Sequence, residues 1–139
     1  MPFMALVLFI CKENAYRSQI AEAIFNSLSK RNRAISASGA EPSMEVSRDA
    51  IMLLKKMYGI DMSGQKPKRL TGEMLASASK IITVCNPEDC VLLPKKYNAE
   101  HWNVPKFEGM DEEDKEKNLA RLYAMVKDLV EKLEPFMRS

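Results

Sequence analysis

The sequence is short of the features that would send it to a membrane, a nucleic acid or the cell exterior. Its main apolar run, Met4–Cys11, has eight residues, against the ~20 that span a bilayer. No Lys or Arg precedes that run and no small-residue cleavage site follows, so a secretory leader is not expected. Neither sign of charge is in excess. The 21 Lys and Arg against 19 Asp and Glu leave a formal charge of +2, too weak a field to recruit nucleic acid or an anionic membrane. Cysteine is scarce and odd in number, at three, which argues against a secreted disulfide scaffold and for a reducing, cytoplasmic setting. There is one histidine and no C-x-x-C pair, so no metal site and no cofactor are expected. Internal repeats, low-complexity tracts and linkers are also absent, and 139 residues make one domain, 1–139.

What is present is an alternation of strand and helix signals. Met4–Ile10 is a continuous apolar run of strand length, as in a buried parallel sheet. Ile20, Ile24 and Leu28 then recur at four-residue spacing behind Ser18, predicting a helix from Ser18, as N-cap, to about Lys30. Ala34–Ser38 reads as a second strand. Val46, Ala50, Leu53 and Met57 trace a second helix, which Gly59 ends. A short helix over Thr71–Ser77 precedes a third strand, Lys80–Val84, and the two prolines in Cys85–Pro94 predict a loop there. Glu100–Val104 is the expected fourth strand. A long helix follows, with its apolar stripe on Leu119, Leu122, Val126, Leu129 and Leu133 and the acids Asp111–Asp114 at its positive end. The pattern predicts an α/β three-layer sandwich: a four-stranded parallel sheet with helices on both faces. Ligands of such sheets bind beyond the carboxyl ends of the strands, where Cys11, Cys85 and the 103–111 loop would meet.

The segment from Cys11 to Ser18 carries the most specific chemistry. Cys11, five residues, Arg17 and Ser18 join a buried strand to a helix start. Backbone N–H groups of such a junction converge on an anion, helped by the helix dipole. Arg17 supplies a planar fork for two oxygens of a tetrahedral oxyanion. The same positive field favours a thiolate at Cys11. The segment VLFICKENAYRSQIAEAIF resembles the active-site loop and first helix of the low-molecular-weight protein tyrosine phosphatase superfamily, which includes thioredoxin-coupled arsenate reductases. SGAEP (38–42), GIDMSGQ (59–65), IITVC (81–85) and HWN (101–103) extend the resemblance over essentially the whole chain. It implies the phosphotyrosine phosphatase I-like fold, with Cys11 as nucleophile, Arg17 gripping the oxyanion, Ser18 assisting the thiolate and Asn14 holding the loop. Cys11, Lys12, Glu13, Asn14, Ala15, Tyr16 and Arg17 would then form the oxyanion cradle.

Two activities share that loop. Phosphoester hydrolysis needs a general acid for the leaving oxygen, and the phosphatase branch carries it on an Asp-Pro pair after the last strand. Here Val104 precedes Pro105, leaving Glu108 or Asp111 as substitutes. Arsenate reduction instead needs a thiol relay, and the resemblance to the reductase branch assigns that relay to Cys11, Cys85 and Cys90. The four-residue interval between the last two is tight, but a loop through Pro87 can close the pair. The expected function is therefore a cytoplasmic arsenate reductase of the arsenical-resistance type, with a thioredoxin-like reductant, or alternatively a phosphatase acting on phosphomonoesters. His101, beside Trp102, is expected to be a packed strand residue, and the Lys66, Lys68 and Arg69 cluster a solvated loop.

Overall fold

The structure, a computed structural model, describes residues 5–134. Four parallel strands pair in the order β2-β1-β3-β4: β1 Leu6–Cys11, β2 Arg33–Ser38, β3 Lys80–Cys85 and β4 Glu100–Asn103. Helix α1, Arg17–Leu28, joins β1 to β2. Helices α2 (Arg48–Tyr58) and α3 (Gly72–Ser77) lie on the crossover to β3, and α4 (Glu112–Leu133) follows β4. The sheet therefore grows from β1 in both directions, and the end of β1 is the switch point at which such folds bind ligands.

Strand alternation divides the core into two clusters. Val7, Phe9 and Cys11 of β1 join Ile82 and Val84 of β3 with residues of α1, α2 and α4. Leu8, Ile10 and Ile81 face the other way, under Met74 and Leu75 of α3 and under Val91, Leu93 and Tyr97. Phe9, Phe25 and Leu122 are almost completely enclosed, and each such side chain is worth about 1.5–3 kcal/mol of transfer free energy.

The predicted strands are all present, with ends displaced by one or two residues. The strand expected over Met4–Ile10 runs Leu6–Cys11, Met4 lying outside the described residues, and the fourth strand stops at Asn103. Ser18 is not the cap of α1. Tyr16 holds that position with no side-chain cap, and Ser18 lies inside the first turn with its hydroxyl turned to the core. The other caps follow the sequence signals: Ser47 accepts from the Ala50 amide, Thr71 from Met74, and Gly59 closes α2 at φ 68°. The long β3–β4 connection holds two 3-10 turns, Pro87–Asp89 and Lys95–Tyr97, and no α-helix. This connection crosses the β2 end closely at Gly39, where a Cβ would meet the Val91 side chain at 2.1 Å.

Candidate active site

Between β1 and α1 the chain makes a tight loop over residues 12–16, and its carbonyls are turned outward. Cys11 O, Lys12 O, Glu13 O and Ala15 O accept from the amides of Gly39, Ala40, Ser43 and Ser47 at 2.9–3.1 Å. With these oxygens committed to the 39–47 segment, the amides of residues 12–16 find no protein acceptor among the described residues. They lead into the uncapped first turn of α1, which adds its positive end. Arg17 is buried at the same mouth, and its Nη1 donates to Val104 O at 2.8 Å and Asn86 Oδ1 at 3.3 Å. A fixed guanidinium and amides without a protein acceptor, lining one cleft, can together hold a tetrahedral oxyanion.

The loop depends on one buried side chain, Asn14, which takes a left-handed conformation at φ 56°. Its Oδ1 accepts from the Lys68 amide at 2.8 Å and from Gln19 Nε2 at 2.9 Å. Its Nδ2 donates to Ser18 Oγ at 2.8 Å and Ser36 Oγ at 2.9 Å. That donation leaves the Ser18 hydroxyl proton free for Cys11 Sγ, 2.8 Å away, and with a thiolate there Ser18 is the donor. Sulfur acting as acceptor is the arrangement that suits a thiolate. Gln65 Nε2 donates to Gln19 Oε1 at 2.7 Å, so the polar 61–70 connection is anchored beneath the cradle by an amide network. The basic cluster there is not left to solvent alone: Lys68 pairs with Glu22 and Arg69 with Glu41.

Replacing Asn14 by Ala should therefore cost far more than a surface change. It takes the acceptor from the Lys68 amide and one donor from each of two buried hydroxyls, which keep only Cys11 and Glu22, and forces alanine into the left-handed region without local hydrogen bonds. Each deserted group is worth about 1–3 kcal/mol, so the expected loss is about 3 kcal/mol or more. Chemical denaturation should show it, together with loss of anion binding; unchanged stability would contradict this account of the loop.

Above Cys11 opens a cleft of about 630 Å³, walled by Tyr16, Asp49, Phe107, Glu108 and Lys115. The Tyr16 and Phe107 rings are 4.9 Å apart by centroid. Burial, then its hydrogen bond to Asp49, holds the Tyr16 phenol far above its ordinary range. Tyr16 Oη donates to Asp49 Oδ2 at 2.6 Å, and this bond above all lowers the Asp49 pKa, helped by Lys115 at 3.1 Å. Asp49 is thus an ionised wall. Of the two substitutes for the missing Asp-Pro acid, Glu108 lines the cleft, whereas Asp111 caps α4, its Oδ1 accepting from the Asp114 amide at 2.8 Å.

Cys85 and Cys90 lie apart from this cleft. They are bonded to each other, with Cα atoms 5.2 Å apart, on the sheet face opposite Cys11. Cys85 is fully buried and Cys90 half-buried. His101, expected to be a packed strand residue, is exposed in a groove beside Cys90, where Thr83 is its partner in the β3–β4 register. Sequence reading assigned no role to Gln19, Gln65, Ser36 and Asp49, whose parts here depend on contacts with chain elsewhere: Gln19 with Gln65, Ser36 with Asn14, and Asp49 with Tyr16.

Residues 6–135 match the family described as low molecular weight phosphotyrosine protein phosphatase. Arsenate reductase 1 of Staphylococcus epidermidis is 30% identical over 107 residues, 76% of this chain and 80% of its own. The crystal structure of arsenate reductase from Archaeoglobus fulgidus is 32% identical, with a TM-score of 0.75 over 89% of this chain and 98% of that one. A low molecular weight protein tyrosine phosphatase from T. tengcongensis is 30% identical, with a TM-score of 0.75 over 92% and 99%. With the family match spanning nearly all of the sequence and the cysteine-to-arginine loop built as described, this chain belongs to the low molecular weight phosphotyrosine protein phosphatase family.

Proposed function

We propose that the protein reduces arsenate to arsenite, using Cys11 as nucleophile and the Cys85–Cys90 pair as a relay. The disulfide between Cys85 and Cys90 carries this reading. In a reducing compartment such as the cytoplasm, a disulfide closed over so short a loop is a working redox couple rather than a staple. No helix among the described residues is long and apolar enough to cross a membrane.

Arsenate binds with its oxygens on the amides of residues 12–17 and the Arg17 fork. The Cys11 thiolate, held by Ser18, displaces a hydroxide from arsenic and forms a sulfur–arsenic bond. Cys85 thiolate then attacks Cys11 sulfur. The electrons of the sulfur–arsenic bond pass to arsenic, which leaves as arsenite. Cys90 next attacks Cys85, releasing Cys11 and forming the Cys85–Cys90 disulfide, which a thioredoxin-like dithiol reopens.

Strand register brings the backbones of Cys11 and Cys85 close, but not their sulfurs. Ile10 pairs with Thr83, so Cys85 sits one residue beyond the level of Cys11 on the neighbouring strand. Strand spacing and rise put their Cα atoms roughly 6 Å apart, inside the ~4.4–6.8 Å window of a disulfide. The side chains point to opposite faces, so the transfer requires the end of β3 to change its backbone conformation. Reduced protein given arsenate, with no other reductant, should release one equivalent of arsenite per Cys85–Cys90 disulfide formed; arsenite without disulfide, or neither, overturns the proposal.

Arg17→Lys tests the cradle separately. A point charge cannot replace the bidentate fork, and losing one charge-assisted hydrogen bond of about 1.5–3 kcal/mol should weaken arsenate or phosphate binding about 10–100-fold. Calorimetry giving unchanged affinity would count against the assigned cradle. A phosphatase reading retains one specific support, the position of Glu108 on the cleft wall above Cys11.

A further inference from the structure

The groove over the disulfide contains a group that the relay so far leaves idle. His101 Nδ1 lies 3.1 Å from Cys90 Sγ and 3.0 Å from Thr83 Oγ1, while Thr83 Oγ1 is 3.7 Å from the same sulfur. This is the chain's single histidine, on the outer strand β4, and its ring is exposed where Cys90 is half-buried and Cys85 fully buried. We propose that His101 is the acid–base catalyst of Cys90, taking the thiol proton when Cys90 attacks and returning it when Cys90 is released.

The chemistry follows from the contacts. Exchange at a disulfide needs a thiolate. With Nδ1 unprotonated, its one lone pair accepts from the Cys90 S–H or from the Thr83 hydroxyl. Once Nδ1 holds the proton, the Thr83 oxygen becomes an acceptor, so Thr83 orients the ring in both states and is a positioning residue. In the exchange step Cys90 gives its proton to Nδ1 and its sulfur attacks Cys85 Sγ. The Cys90–Cys85 bond forms and the sulfur previously joined to Cys85 leaves as a thiolate, so no net oxidation occurs. That leaving sulfur is Cys11 if the proposed relay holds, on which this part of the inference rests. Release of Cys90 by an incoming dithiol runs the proton transfer in reverse.

The neighbourhood leaves His101 as the specific partner. Lys95 also lines the groove. The Glu88 carboxylate accepts from Asn86 Nδ2 at 2.6 Å, and Glu100, beside His101 on β4, pairs with Lys80 and accepts from Trp102 Nε1. Lys95 is present in every protein compared below, so differences report His101 alone.

The test needs no arsenate. In a Cys11→Ser, Cys85→Ser protein Cys90 is the single thiol, and its alkylation by iodoacetamide can be followed from pH 5.5 to 9. Moving the thiol midpoint down by one unit raises the thiolate about tenfold at acid pH and lowers its intrinsic reactivity about threefold, a net gain of about threefold. His101→Gln in that background should move the midpoint up by about one unit and slow alkylation at pH 6.5 about threefold; Thr83→Val should give a partial shift in the same direction. In the native-cysteine protein, His101→Gln should also flatten the pH dependence with which 2-mercaptoethanol opens the Cys85–Cys90 disulfide. Superimposable alkylation profiles with and without His101 overturn the inference. That outcome leaves the relay untouched, since arsenite release with disulfide formation tests the relay independently, and a failed relay leaves the His101–Cys90 result standing.

Discussion

Replacing Cys85 by serine should reduce arsenate turnover to the background of a Cys11→Ser protein while leaving oxyanion binding intact. The two losses arise at different steps. Without Cys11 no sulfur–arsenic bond forms. Without Cys85 the adduct forms but nothing attacks Cys11 sulfur, so arsenic keeps its higher oxidation state. Cys90→Ser should fail later still, after one turnover, with Cys11 and Cys85 joined. Mass spectrometry of the three proteins after arsenate exposure separates these states, and absence of any disulfide among the cysteines in the native protein would sink the relay. The Cys85→Ser protein should fold, because the buried sulfur sits at a strand end whose pairing with Asn103 uses backbone groups. Any slow phosphoester hydrolysis it shows should equal that of the native chain, since its cradle and cleft are unchanged.

The sequence made the sheet and its order of elements readable because local signals and tertiary structure agree there. β1, β3 and the α4 stripe are strongly patterned and largely buried, and they differ from expectation only at their ends. The strand–loop–helix junction was readable for a different reason: its parts are contiguous, from Cys11 to Ser18. Misreadings occur where a residue's role is set by distant chain. Ser18 has the composition of a cap, but Asn14 and Cys11 recruit its hydroxyl inward. His101 reads as a packed strand residue because it adjoins Trp102, yet strand alternation puts the two on opposite faces, one buried and one in the groove. Asp49 belongs to α2, over thirty residues from the cradle, and enters the cleft only through Tyr16. Asp111 was a plausible acid by position, and the α4 amides claim it instead.

That last assignment sharpens what hydrolysis by this cleft should look like. General acid catalysis is worth about 10²–10⁴-fold, or about 3–5 kcal/mol, and the expected Asp-Pro is absent. Asp49 cannot stand in, because Tyr16 and Lys115 hold it ionised, and an ionised carboxylate has no proton to give. Aryl phosphates, whose phenolates leave unaided, should therefore be cleaved slowly, and alkyl phosphates not measurably. Across a series of aryl esters, kcat should fall steeply as the leaving phenol becomes more basic. Asp111→Asn should change neither slope nor stability, because asparagine caps a helix as well as aspartate does. Glu108 is the one remaining carboxylate of the 103–111 loop on the cleft wall, so Glu108→Gln is the deciding variant. A steep slope in both native and Glu108→Gln protein fits a cleft without an acid. A flat slope in the native protein that turns steep in the variant would give Glu108 the proton-donor role and move the chain's chemistry from reduction towards phosphoester hydrolysis.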